Sequence, residues 1–247
     1  MNHAVSRKIA SLLAALMMMA IMLPVMAFAA TDSSAASTNE SVSDSVYTDV
    51  YSVNDNVYAE VTFEDLASHW AQADIELLAG KGLISGVTAS EFQPDRAITR
   101  AEFAALIVRS IELSSVTTST YFTDVNESAW YADTVASAVY AGIINGYEDN
   151  TFRPNDSATR EELAAVIIRA LDYVQISTHV PQDTQDKLLS GYTDANEVVW
   201  AHQELAAALN AHLINGVTDN QLGSSKPATR AEAAVLLKRF LKLADRL

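Results

Sequence analysis

The sequence predicts an all-α fold built from three copies of one helical hairpin, on the strength of three observations. Trp70, Trp130 and Trp200 each stand 30 positions ahead of Arg100, Arg160 and Arg230. A four-residue motif recurs at those arginines, as Thr99-Arg100-Ala101-Glu102, Thr159-Arg160-Glu161-Glu162 and Thr229-Arg230-Ala231-Glu232. Apolar residues between and after these landmarks keep a helical period. The repeat spacing is 60 residues and then 70, the extra ten lying around 174–190. Constant internal spacing across a variable junction marks structural units joined by a loop.

Each unit opens on an aromatic-x-Asp stretch, Phe63-Glu64-Asp65, Phe122-Thr123-Asp124 or Tyr192-Thr193-Asp194, which leads to the tryptophan. A first helix follows, with one apolar face at Ile75, Leu78 and Ala79, at Val135, Ala138 and Val139, and at Leu205, Ala208 and Leu209. Gly82 and Gly142 mark its end, and a second turn glycine recurs at Gly86, Gly146 and Gly216. A short extended loop runs through Phe92 and Pro94, or Phe152 and Pro154.

The second helix opens at Thr99, Thr159 and Thr229. Its stripes are Phe103, Leu106, Ile107 and Ile111, then Leu163, Val166, Ile167 and Leu171, then Ala233, Leu236, Leu237 and Leu241. One hairpin of roughly 50 residues cannot bury both faces, whereas three can close around a shared axis. The expectation is a pseudo-threefold bundle with the second helices as a central three-helix core. The units are 62–115, 121–174 and 191–247.

Ahead of them, Arg7 and Lys8 precede an apolar run from Ile9 to Phe28, and Ala27-Phe28-Ala29 has small residues where a signal peptidase reads. Residues 1–29 are expected to be a secretory signal peptide cleaved after Ala29. Residues 30–61 are rich in Ser, Thr, Asp and Asn, contain no Lys or Arg, and read as a disordered linker. The chain has no cysteine, which excludes a disulfide framework and a lipid-modified cysteine. Net charge is −15, and losing Arg7 and Lys8 with the leader makes it −17. Nucleic acid is not an expected partner of so acidic a chain, nor is a membrane once the leader is removed. Any bound anion must be held by local groups that override the overall charge.

Within the motif, Thr and Glu are explained by a capping box, Thr accepting from the third helical amide and Glu reaching back to the cap. Arginine at the first helical position is not, since a cation there costs about 0.3–1 kcal/mol against the macrodipole. Free amides at a helix start attract anions, and a guanidinium adds a planar fork of donors suited to a carboxylate or a phosphate. The alternative is a structural ion pair with Asp65, Asp124 or Asp194 of a neighbouring repeat. The anion-site reading is preferred here, because a cost repeated three times needs a repeated reason.

The tryptophans offer either a sugar-stacking face or ordinary core packing. Ser85, Asn145 and Asn215 precede the turn glycines and are either donors to sugar hydroxyls or plain turn formers. His69, His179, His202 and His212 are not equivalent between repeats, and Glu148-Asp149-Asn150 lacks the alternating spacing of a calcium loop. No catalytic motif is present, so the expectation is a binding protein without cofactor or metal.

Taken together, the aromatic-x-Asp opening, the tryptophan, the Asn145-Gly146 and Asn215-Gly216 turns, the Phe-x-Pro loop and the Thr-Arg-Ala-Glu motif resemble S-layer homology repeats over about residues 62–244. That resemblance implies a non-enzymatic, secreted module that anchors proteins to a pyruvylated secondary cell-wall polysaccharide. Grooves between repeats would hold the ligand, with Arg100, Arg160 and Arg230 clamping the ketal carboxylate and Trp70, Trp130 and Trp200, Asp65, Asp124 and Asp194, and the Ser85-Gly86, Asn145-Gly146 and Asn215-Gly216 turns among the ligand contacts. It also implies, as the alternative, a structural envelope protein that binds peptidoglycan or its polyamine decoration, and leaves room for other S-layer or wall proteins as partners. The third repeat departs from the pattern, with Leu222 and Ser224 in place of Phe and Pro and His212 in place of glycine, which puts its groove in doubt.

Overall fold

The computed structural model describes residues 61–116, 120–198 and 200–247. The expected leader (1–29) and all but the last residue of the expected linker (30–61) lie outside the described residues. Among the described residues there are seven α-helices and no strand. They are α1 (Gln72–Gly80), α2 (Arg100–Ser110), α3 (Ala132–Tyr140), α4 (Arg160–Tyr173), α5 (Gln182–Leu189), α6 (His202–Asn210) and α7 (Arg230–Leu243).

Repeats one, two and three contribute α1/α2, α3/α4 and α6/α7. The expected apolar stripes are the ones that pack. Phe103, Ile107, Leu163, Ile167, Leu171, Leu237 and Leu241 are all buried, as are Ile75, Leu78, Val135, Ala138 and Leu205. The second helices α2, α4 and α7 each touch the other two. Each first helix packs chiefly on the second helix of the preceding repeat: α3 on α2, α6 on α4, and α1 on α7.

That order returns on itself, and the backbone closes the same circuit. Ala158 N–H donates to Ile98 C=O at 2.9 Å, Ala228 N–H to Ala158 C=O at 2.9 Å, and Ile98 N–H to Ala228 C=O at 3.0 Å. A hairpin that packs on its neighbour has little to hold it alone. The apolar face of each first helix is satisfied only when the preceding repeat is present.

The ten extra residues are not the plain loop that was expected. They include α5, which packs on α6 and buries Leu189 and Gln185. Gln185 Nε2 donates to Val180 C=O at 2.7 Å, which ties the helix to its own lead-in. Pro181 precedes the first turn, where a missing N–H costs nothing.

The glycines and their substitutes follow from the backbone. At the end of α1 and α3, Gly82 and Gly142 take φ of 72°, the left-handed closure of a helix C-terminus. His212 takes the same turn after α6 at φ 55°, so the third repeat keeps the geometry without the glycine. In the extended loops Gln93, Arg153 and Gly223 are all left-handed. The third repeat thus places its glycine where the other two carry a strained side chain.

Candidate functional site

The motif threonine and glutamate form the expected capping box in all three repeats. In the second, Glu162 N–H donates to Thr159 Oγ1 at 3.3 Å and Thr159 N–H to Glu162 Oε2 at 2.8 Å. The other carboxylate oxygen does something the sequence did not reveal. Glu162 Oε1 accepts from Arg100 Nη1 of the preceding repeat at 2.7 Å, and Glu232 Oε1 from Arg160 Nη1 at 2.8 Å. Arg230 faces Glu102 more loosely, at 4.0 Å. Glu102 is shared: burial pushes its carboxyl up, but Arg96 at 2.6 Å, the Thr99 amide and Arg230 together hold it below the usual carboxylate range.

Each arginine is also tied to two carbonyls of the following repeat. Arg100 Nε donates to Phe152 C=O at 2.8 Å and Nη2 to Asn145 C=O at 3.2 Å. Arg160 reaches Leu222 and Asn215 in the same way, and Arg230 reaches Phe92 and Ser85. Only 10–13% of each guanidinium side chain is exposed.

These contacts correct two expectations. The structural partner of the motif arginine is the motif glutamate of the next repeat, not Asp65, Asp124 or Asp194. The helix start, moreover, is not a set of free amides. Arg100 N–H donates to Asp156 C=O and Ala101 N–H to Pro154 C=O, and the same two bonds recur at Arg160–Glu161 and Arg230–Ala231. With the third amide held by threonine, the first turn has no spare donors for an anion.

The aspartates are loop clamps. Asp65 accepts from the amides of Phe92 and Gln93, Asp124 from those of Phe152 and Arg153, and Asp194 from those of Leu222 and Gly223, at 2.6–2.9 Å. They were expected among the ligand contacts, and both of their oxygens are instead committed to backbone. Each clamp holds the left-handed residue of its loop, so the carbonyl beside it meets the arginine of the preceding repeat. Leu222 and Ser224 keep this function in the third repeat, since they are buried and their carbonyls accept as Phe and Pro carbonyls do.

Gly86, Gly146 and Gly216 are needed for packing as well as turning. A Cβ on Gly86 would stand 2.5 Å from Phe63 Cε1, and one on Gly216 would stand 2.7 Å from Tyr192 Cε1. The opening aromatic of each unit therefore lies against the turn that carries Ser85, Asn145 or Asn215. Those three side chains remain exposed, while their carbonyls serve the arginines.

The tryptophans are not core. Trp70 and Trp130 are each 66% exposed and Trp200 is 48% exposed. Two of them stand at the mouths of grooves assembled from all three repeats. The first groove, about 470 Å³, brings together Arg100 of repeat one, the Asn145–Glu148 turn and Glu162 of repeat two, and Trp200 of repeat three. The second, about 180 Å³, joins Arg160, the Ile214–Gly216 turn with Glu232, and Trp70. Tyr147 belongs to the first groove. Its hydroxyl donates to Glu162 at 2.6 Å, and burial together with that carboxylate pushes its pKa up to about 12.

A second set of arginines escaped the sequence reading. Arg109, Arg169 and Arg239 each stand nine positions after the motif arginine, so the spacing argument that found the first set applies equally to them. Arg169 lines the first groove, with its guanidinium carbon 5.9 Å from the Trp200 ring centre, and Arg239 lines the second. Arg109 is exposed.

A fold of three cross-packed repeats with grooves at their junctions defines a repeat-built binding module. The family model for the S-layer homology domain matches residues 62–104, 121–164 and 191–234, and the chain belongs to that family. It is 36% identical over 73% of its length to an amylopullulanase of Thermoanaerobacterium thermosulfurigenes, covering 10% of that protein. It is 31% identical over 62% of its length to a cellulosome-anchoring protein of Acetivibrio thermocellus, covering 34%. It is also 31% identical over 72% of its length to a surface-layer 125 kDa protein of Lysinibacillus sphaericus, covering 14%. The chain thus spans between a tenth and a third of these relatives. Family membership carries a cell-surface anchoring role at the bacterial envelope.

Proposed function

We propose that the chain is a non-enzymatic module that holds an acidic, pyruvylated secondary cell-wall polysaccharide in the grooves between its repeats. Its three repeats act as a pseudo-threefold bundle with α2, α4 and α7 as the central core. The observation that carries this reading is the composition of each described groove. An arginine of one repeat, a glycine turn of the next and an exposed indole of the third converge on one concave surface. An indole face suits the apolar face of a sugar ring, and a guanidinium suits a carboxylate. The bonds that Arg100 and Arg160 make to the next repeat use three of the five donors of each guanidinium, so two remain for a ligand.

The direct test is co-sedimentation with purified walls, before and after mild acid removal of the ketal. Binding should be lost with the ketal, and should fall far less steeply with salt than a basic protein's binding to a polyanion does. Equal binding to ketal-bearing and ketal-free walls would overturn the carboxylate reading and favour peptidoglycan or its polyamine decoration.

A further inference from the structure

The two described grooves share a plan but differ in charge, and the difference traces to two positions, Ile168 against Lys238 and Glu148 against Thr218. In the first groove, Arg169 Nη2 is paired with Glu204 Oε1 at 3.0 Å. The residue before Arg169 is Ile168, so Glu204 has no other basic neighbour on that face of α4. In the second groove the equivalent acid is Asp74, four positions after Trp70 as Glu204 is after Trp200. The residue before Arg239 is Lys238, and it is Lys238 that pairs with Asp74. Arg239 is left with a neutral acceptor, donating by Nη1 to Leu213 C=O at 2.9 Å. Among the described residues no carboxylate pairs with it.

The consequence is a different net charge. The first groove holds two arginines, each paired to a glutamate, and the exposed Glu148 on its rim. The second holds the Arg160–Glu232 pair and, in addition, Arg239 without a carboxylate. An uncompensated, half-buried guanidinium beside an exposed indole attracts an anion far better than one already satisfied by an acid. The first groove is instead the larger and more apolar in chemistry, with Tyr147 and Phe152 on its wall.

We infer that the two grooves read different sugars. The second takes the carboxylate-bearing residue, with Arg239 rather than the motif arginine as its main anion contact, while the first takes an uncharged residue on Trp200. This rests on the glycan reading above and adds to it a division of labour and a contact residue.

The test uses the full chain labelled with 5-fluorotryptophan, whose three 19F signals are assigned by single Trp→Phe variants. Trp70 then reports the second groove and Trp200 the first. The probes are the methyl glycoside of a hexose bearing a pyruvate ketal, and its methyl ester. The Trp70 signal should shift with the acid and not with the ester, and the Trp200 signal with both. Arg239→Gln should weaken the acid's effect at Trp70 about tenfold and leave Trp200 unchanged, which also shows that the variant is folded. Arg239→Lys should restore part of the loss. A Trp200 signal that prefers the acid, or equal responses to acid and ester at both indoles, would overturn the division and leave the glycan reading standing. Silence at both indoles with both probes would overturn the two together.

Discussion

Arg100 and Trp70 belong to the same repeat, recur in the others at the same spacing, and line grooves of the same kind, yet their surroundings are opposite. Arg100 is wrapped by two carbonyls and a glutamate of the next repeat. Trp70 stands two-thirds exposed. Regular recurrence therefore has two separate causes in this chain. A residue that joins repeats must recur because every junction is the same, and a residue that meets a ligand recurs because every groove is the same. Only the partners distinguish the two.

The largest expected effect lies on the buried side of that contrast. Arg100→Ala removes the partner of a glutamate whose side chain is 12% exposed and breaks three ties between repeats. Breaking a buried pair on one side costs about 3–5 kcal/mol. Chemical denaturation should show a loss of that order, with Glu162→Gln in the same background recovering part of it. An Arg100→Ala protein of unchanged stability with weakened wall binding would show that the motif arginine serves the ligand alone and not the junction. First helices pack on the preceding repeat, so a weakened junction loosens two units at once.

Next in size is the clamp. Asp124→Ala removes the acceptor of the Phe152 and Arg153 amides, at 2.7 Å each, and frees a left-handed residue. The expected loss is about 1–3 kcal/mol. Asp124→Asn, which keeps one acceptor oxygen, should fall between. Stability equal to that of the parent would show that the aspartate is held for a ligand and not for the loop.

How much of this was legible beforehand depended on whether the cause was local. The helix positions, the capping boxes at Thr99, Thr159 and Thr229 and the buried stripes follow from spacing within a few turns, and they stand as expected. The pairing of Arg100 with Glu162 joins residues 62 apart, and no local rule selects Glu162 over Asp124. The second arginine set was legible in principle, because nine-residue spacing repeats at Arg109, Arg169 and Arg239. It went unread because an arginine in the middle of a helix breaks no local rule, whereas one at a helix start does. α5 was missed for a similar reason. Eight residues with only Leu188 and Leu189 apolar show no period, and the helix depends on α6 beside it.

The smallest expected stability change sharpens the comparison among the tryptophans themselves. Glu161 stands where the other repeats have Ala101 and Ala231, is nearly buried, and leaves Oε2 without a partner. Burial pushes its pKa above the ordinary 4.5, Glu162 adds to that, and a hydrogen bond from Trp200 acts in the opposite direction. Because the fold favours the protonated form, the residue's contribution is most favourable below the unfolded value and declines as pH rises through the folded one. Glu161→Ala should accordingly stabilise the protein at pH 7, by about 1 kcal/mol, with the gain shrinking as pH falls through the raised folded value towards 4.5 and absent below it. Trp200 also loses its carboxylate partner in that variant. Its indole, 48% exposed against 66% for Trp70 and Trp130, should become as accessible to acrylamide quenching as theirs. A variant less stable than the parent at pH 7 would mean that the Trp200 contact outweighs the buried charge. The second motif's extra glutamate would then be a strut for the first groove.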